Sequence, residues 1–180
     1  MNWDKKFSVV LDCIDEREDI DCDFYLVDRH VSDDEITELT ESYPLISKEY
    51  INFLKLYDSA DIAQCRLFGP SKLKRAKEIY SDVFGVNEWF VFGADAGGDP
   101  ILQNSIGEVY IAEGKSIEPE YSLLANSFSS FISDVLMGEK YPLVFWIQNN
   151  ENDFKEFINE EKDEDPWLQF LIEKKWLTFE

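Results

Sequence analysis

The sequence predicts one domain in which helices pack around a small sheet, and three observations carry that expectation. A chain of 180 residues with 44% hydrophobic and 15% aromatic content is long and apolar enough for a single buried core. The stretch Trp89-Phe90-Val91-Phe92-Gly93-Ala94-Asp95-Ala96-Gly97-Gly98-Asp99-Pro100-Ile101-Leu102 runs from apolar residues through a Gly-Gly turn and back into apolar residues. Glu108-Val109-Tyr110-Ile111-Ala112 follows after Asn104-Ser105-Ile106-Gly107, which makes three strands joined by tight turns, the centre of a sheet. On both sides of this stretch, apolar residues recur at helical spacing.

Taken in order, Phe7, Val10, Leu11 and Ile14 lie on one face of a short helix over Trp3 to Ile14. An acidic stretch follows, and then Phe24-Tyr25-Leu26-Val27, which reads as a short strand or a covering loop. Ser32-Asp33-Asp34-Glu35 is a helix start, with Ser32 as N-cap and Glu35 reaching back to complete a capping box. That helix buries Ile36 and Leu39 and ends before Tyr43-Pro44, because a residue preceding proline avoids the helical region. Ser47 caps the next helix, whose apolar face is Tyr50, Phe53, Leu54 and Tyr57.

Cys65-Arg66-Leu67-Phe68 reads as a strand ending at Gly69-Pro70, and Ser71 to Tyr80 as a helix carrying Lys72, Lys74, Arg75 and Lys77. A solvated face paired with acidic neighbours accounts for that basic cluster. Beyond Ala112, Glu113-Gly114-Lys115-Ser116 is a turn-rich link. Asn126 or Ser127 caps a helix with Phe128, Phe131, Ile132, Val135 and Leu136 on one face, stopped by Gly138. Tyr141 to Ile147 is apolar enough for another strand. Two short helices then flank an acidic centre, and Trp167, Phe170, Leu171 and Trp176 imply that the last of them docks on the rest of the chain.

Charge narrows the function classes. Lys and Arg total 17 against 38 Asp and Glu, a formal net charge of −21. Such a surface repels a polyanion, so direct nucleic-acid binding is not expected, whereas a basic protein partner would be steered in. No apolar run reaches bilayer length and the first residues lack a signal-peptide core, so a cytoplasmic protein away from membranes is expected. Cys13, Cys22 and Cys65, with no CxxC pair, fit reduced thiols. Acid density is highest in two runs. Asp15, Glu16, Glu18, Asp19, Asp21 and Asp23 form the first, and Glu160, Glu161, Asp163, Glu164 and Asp165 the second. These are the candidate partner-binding acids.

Catalytic and cofactor motifs are absent from the sequence. His30 is the single histidine, and Cys13, Cys22, His30 and Cys65 lack the paired spacing of a structural zinc site. Read as a calcium loop from Asp19, the chain places Phe24 where glycine is required and His30 where an acid is required. There is neither a phosphate-binding loop nor a nucleophile elbow. Asp95 and Asp99 frame Gly97 and Gly98. They form either a carboxylate pair for a divalent ion or acid-base work, or residues bonding to turn amides while the glycines supply positive φ. The turn reading is favoured, and no cofactor is expected.

The order of these features resembles the SUKH superfamily. It rests on the proline-preceded helix with Tyr50-Ile51-Asn52-Phe53-Leu54, the strand Phe90-Val91-Phe92-Gly93-Ala94-Asp95 with its Gly97-Gly98-Asp99 turn, the strand Gly107-Glu108-Val109-Tyr110, and the helix Ser127-Phe128-Ser129-Ser130-Phe131-Ile132. The likeness spans about 32–137, with 138–180 as a C-terminal helical extension of one domain. It implies an α+β fold with a small, mostly antiparallel sheet and helices around it. It also implies a non-enzymatic role, either as an immunity protein blocking a cognate toxin, plausibly a basic nuclease, or as a regulatory scaffold for signalling or cell-wall synthesis proteins. A metal-dependent hydrolase built on Asp95 and Asp99 is the least favoured reading. The sequence does not set the oligomeric state.

Overall fold

Among the described residues, seven antiparallel strands make one sheet in which every strand lies beside its neighbours in sequence, and helices pack on both of its faces. The computed structural model describes residues 2–85, 87–113 and 118–178, so part of the link at Glu113-Gly114-Lys115-Ser116 lies outside the described residues. Helix α1 (Trp3–Leu11) leads through a 3-10 turn (Ile14–Glu16) to strand β1 (Phe24–Leu26). Helices α2 (Asp33–Ser42) and α3 (Lys48–Leu56) follow, then β2 (Ala60–Ile62), β3 (Cys65–Leu67) and helix α4 (Pro70–Tyr80). Strands β4 (Phe90–Asp95), β5 (Pro100–Gln103), β6 (Val109–Ala112) and β7 (Tyr121–Ala125) complete the sheet. Helix α5 (Phe128–Ser130) runs on as a π-helical segment (Phe131–Leu136), followed by a 3-10 segment (Tyr141–Phe145), α6 (Glu151–Glu161) and α7 (Pro166–Glu173). The fold is α+β.

Local signals account for most helix ends. The Ser32 hydroxyl accepts from the Glu35 amide while the Glu35 carboxylate accepts from the Ser32 amide, which closes the capping box. The Ser47, Ser127 and Asn150 side chains cap α3, α5 and α6 by accepting from the amides of Tyr50, Ser130 and Asp153. Helix α4 begins one residue earlier than expected, at Pro70, where a missing N–H costs nothing.

The sheet has two apolar faces. Phe90, Phe92, Ile101, Val109, Ile111 and Leu124 point into the main core, where Tyr50, Phe53, Phe128 and Phe131 pack on them. Val91, Leu102 and Ala112 point to the opposite face and meet Ala76 of α4 and Phe84. A bulge between Val91 and Gly93 shifts the β4–β5 register. Glycine is required at position 93 because a Cβ there would sit 2.7 Å from the Arg66 carbonyl oxygen of β3.

Two expectations change. Strands β2 and β7 were not anticipated, and Tyr141–Phe145 is a 3-10 segment, not a strand. Its apolar residues are buried by packing, not by pairing; Pro142 opens it and Trp146 ends it in the left-handed region at φ 61°. Residues after Gly138 share the main core, since Trp167, Leu168, Phe170 and Leu171 are fully buried within it.

The π-helical segment is held from both ends of the chain. Its end leaves carbonyls without helical partners. The Lys6 ammonium of α1 donates to the carbonyls of Ser133 at 2.8 Å and Met137 at 2.5 Å. The Trp167 indole of α7 donates to the Leu136 carbonyl at 2.8 Å. Burial pulls the Lys6 pKa below its ordinary value, while Asp134 and Glu139 pull it the other way. Lys6 also lies 4.8 Å over the Trp176 ring.

Candidate functional site: an acidic groove

The first acidic run occupies the link between α1 and β1, and the second the corner between α6 and α7. Most of their acids stay at the surface; the first run is pinned by Ile20, fully buried in the main core, and Glu160 and Glu161 of the second close α6. Arg17, the single base inside the first run, fixes the link. It makes a two-pronged ion pair with Asp19 at 2.8 Å on each prong and reaches Glu173 of α7 at 2.6 Å. That hydrogen bonding raises the Arg17 pKa and lowers that of Asp19.

The two runs approach at Asp23 and Asp165, near enough for the Asp165 charge to bear on Asp23. Half-burial pushes the Asp23 carboxyl up to about 6, and the charges of Asp165, Asp19 and Asp21 add to the rise. Asp165 itself has a structural task. One of its oxygens accepts from the Leu168 amide as the N-cap of α7, and the other accepts from the Tyr141 hydroxyl at 3.0 Å. Burial, followed by the Asp165 charge, raises the Tyr141 phenol strongly, so that hydroxyl remains a donor. Asp15, Glu16, Glu18, Asp19, Asp21, Glu160, Asp163 and Glu164 are exposed, and Glu161 is half-buried.

Next to this acidic region lies an open groove of about 610 Å³. Cys22, inside the first run, lines it, and so do Asp95, Gly97 and Gly98 of the β4–β5 turn and Asp61 and Arg66 of the β2–β3 hairpin. Of the first run's segment only Cys22 lines the groove, so the groove borders that run, and its own carboxylates are Asp61 and Asp95. Within the turn, the Asp95 carboxylate accepts from the Asp99 amide at 2.7 Å, and Gly98 has φ 88°, a conformation that favours glycine. Across the groove, Arg66 pairs with Asp61 at 2.7 and 2.9 Å.

The groove offers little to chemistry beyond charge. Burial pushes the Cys65 thiol well above its ordinary range, which keeps it protonated and a poor nucleophile. His30 is exposed elsewhere, its Nδ1 2.8 Å from the Lys55 carbonyl oxygen. Among the described residues, no group of three or more His, Cys, Asp or Glu side chains is placed to hold a metal ion. No helix among them is long and apolar enough to cross a membrane.

Asp61 and Arg66 were not singled out in the sequence, and the reason is physical. Their hairpin turns through Ala63-Gln64 with Ala63 at φ 52°, so the usual Asn-Gly or Asp-Gly marker of a two-residue turn is missing.

Asp23 supplies a stability test. Its folded-state pKa lies above the ordinary carboxylate value, so the folded chain holds the proton more tightly than the unfolded one. Stability is then lost as pH rises from about 4 to about 6, with no further change from this group above that window. Asp23→Asn is expected to stabilise the protein at pH 7 by about 1 kcal/mol, allowing for solvent screening of a half-exposed group. Urea denaturation should show that gain at pH 7 and its disappearance near pH 4. An equal gain at both pH values would remove the charge explanation.

With this geometry in place, the class is defined: a single α+β domain of the SUKH superfamily with an acidic groove beside its central turn. The model of the SMI1 / KNR4 family (SUKH-1) matches residues 30–134, more than half of the chain, and the protein belongs to that family. No curated protein matches the sequence.

Proposed function

We propose that this chain is a non-enzymatic immunity protein of the cytoplasm that binds and neutralises a cognate toxin, a basic nuclease, through charge complementarity at the acidic groove. One observation carries the reading. Acids of two runs far apart in sequence come near each other at Asp23 and Asp165, and most of the remaining acids of both runs stay exposed around them. A nuclease presents a basic cleft to bind phosphates, and an acidic surface of this kind fills such a cleft. Membership of a family that binds partner proteins supports the same reading.

The test is co-expression with the toxin encoded beside the gene. Protection and a stable complex are expected, with an association rate that falls as salt rises. The charge reversals Asp21→Lys and Glu164→Lys together should slow association by roughly tenfold while leaving the fold intact. No protection and no complex would sink the reading. A neighbouring gene that encodes no toxin, with a signalling or cell-wall enzyme captured instead, would favour a regulatory scaffold.

A further inference from the structure

Among the described residues, β7 is an edge of the sheet, paired with β6 alone. The other edge, β1, is a three-residue strand, whereas β7 has five residues and begins with three that are all exposed, Tyr121, Ser122 and Leu123. Tyr121 and Leu123 remain 41% and 45% exposed although both carry large apolar side chains on a paired strand. An exposed strand of this kind is normally blunted, because its free amides and carbonyls recruit another chain.

The direction of those free groups follows from the ladder. The Glu113 amide donates to the Glu120 carbonyl, which makes Glu113 and Glu120 a hydrogen-bonded pair. Pairs alternate in an antiparallel ladder. Ile111 and Ser122 are then hydrogen-bonded, while Ala112 opposite Tyr121 and Tyr110 opposite Leu123 are not. The amides and carbonyls of Tyr121 and Leu123 accordingly point away from β6, toward the open edge.

The side chains beside that edge form a built aromatic platform. Tyr121 stacks on Trp89 with centroids 4.9 Å apart and planes 8° from parallel, and Tyr110 meets Trp89 edge-on at 5.3 Å. One face of Tyr121 is therefore backed by an indole, and its exposed area looks outward. The surroundings are acidic. The Glu88 charge bears on Tyr121, the Glu108 carboxylate accepts from the Tyr110 hydroxyl at 2.9 Å, and Glu120 precedes the strand. From Gly85 through Met137 the sequence has eight acidic residues and one basic residue, Lys115.

The geometry points to β7 as a docking edge for an extended, arginine-bearing segment of a partner protein, which adds as an eighth strand and lays a guanidinium on Tyr121. Main-chain bonds to Tyr121 and Leu123 supply the pairing. A guanidinium suits both the aromatic face and the adjacent carboxylates, which an ammonium matches less well. A second copy of this chain is a poor occupant, since each carries a net charge of −21. The surface is separate from the acidic groove and does not depend on the toxin reading.

The probe is the full chain titrated with the peptide acetyl-(Arg-Val)3-amide and followed by amide and indole NMR shifts. Saturable shifts are expected at Tyr121, Ser122, Leu123 and the Trp89 indole. The double variant Tyr121→Ser, Leu123→Ser, with unchanged circular dichroism, should weaken binding at least tenfold. A peptide N-methylated at its three arginines, whose amides must face β7 when their side chains lie over Tyr121, should weaken it equally against the unaltered protein. Shifts confined to the groove residues Asp19–Asp23, full affinity in the double variant, or full affinity of the N-methylated peptide would each overturn the proposal. So would no binding at all, or self-association through β7 in sedimentation. Loss of the toxin complex leaves these outcomes untouched.

Discussion

Trp167→Ala is expected to destabilise the fold by about 3–5 kcal/mol and to lower the thermal midpoint by roughly 6–20 °C for a chain of this size. Trp167 is fully buried, stacks on Phe24 of β1 at 5.9 Å and on Phe170 at 5.4 Å, and donates its indole N–H to the Leu136 carbonyl. Alanine leaves a large cavity between α7 and the sheet and an unpaired carbonyl at the end of the π-helical segment. Trp167→Phe keeps most of the packing and loses only the hydrogen bond, so about 1–3 kcal/mol is expected. Calorimetry of the two variants separates packing from pairing. An alanine variant that melts within a degree or two of the parent would mean that α7 is an appendage and that 138–180 contributes nothing to the domain.

Tyr50→Ala should cost a similar amount, about 3–5 kcal/mol, elsewhere in the same core. Tyr50 is fully buried among Phe53, Phe90, Phe92 and Phe128, with ring centroids 5.0–5.8 Å away. Its hydroxyl donates to the Phe68 carbonyl and lies 3.3 Å from the Phe92 carbonyl, where the chain leaves β3 beside the β4 bulge. Burial raises the phenol far above its ordinary pKa, so it stays a neutral donor across the accessible pH range. Tyr50→Phe is expected to lose about 1–3 kcal/mol through the unpaired carbonyl alone. Urea midpoints with unchanged slopes would report the two effects cleanly. Equal losses for both variants would show that the hydroxyl, and not the ring, anchors α3 to the sheet.

How legible all this was depends on the range of the interaction. The capping box at Ser32 and Glu35, the serine caps at Ser47 and Ser127, and the face of α3 are set by residues three or four positions apart, and each could be read directly. The turn at Asp95–Asp99 was equally plain, because two glycines between apolar segments have few other uses. Strand β7 was missed because Tyr121-Ser122-Leu123-Leu124-Ala125 buries only its last two residues, which blurs the alternation a strand usually shows. Tyr141–Phe145 misled in the other direction, since burial from all sides gives the same apolar run as a central strand. The acidic runs were visible as density, but their meeting at Asp23 and Asp165 is set by tertiary packing. So is the burial of Lys6, whose partners lie up to 131 positions away.

The sheet is assembled from sequence neighbours, yet the carbonyls at the end of its adjoining helix wait for groups from far along the chain. That arrangement makes completion a matter of timing during synthesis. All seven strands have been made once Ala125 is in place, and Lys6 has been available since the beginning. The Leu136 carbonyl meets its indole only after 31 more residues have been added. At ribosomal rates of about 5–20 residues per second, that is a delay of about 2–6 s. A nascent stage with the strands made and the core unsealed is the expected result, read as a step in the protease resistance of arrested chains ending before and after α7; equal resistance of both chains would overturn it.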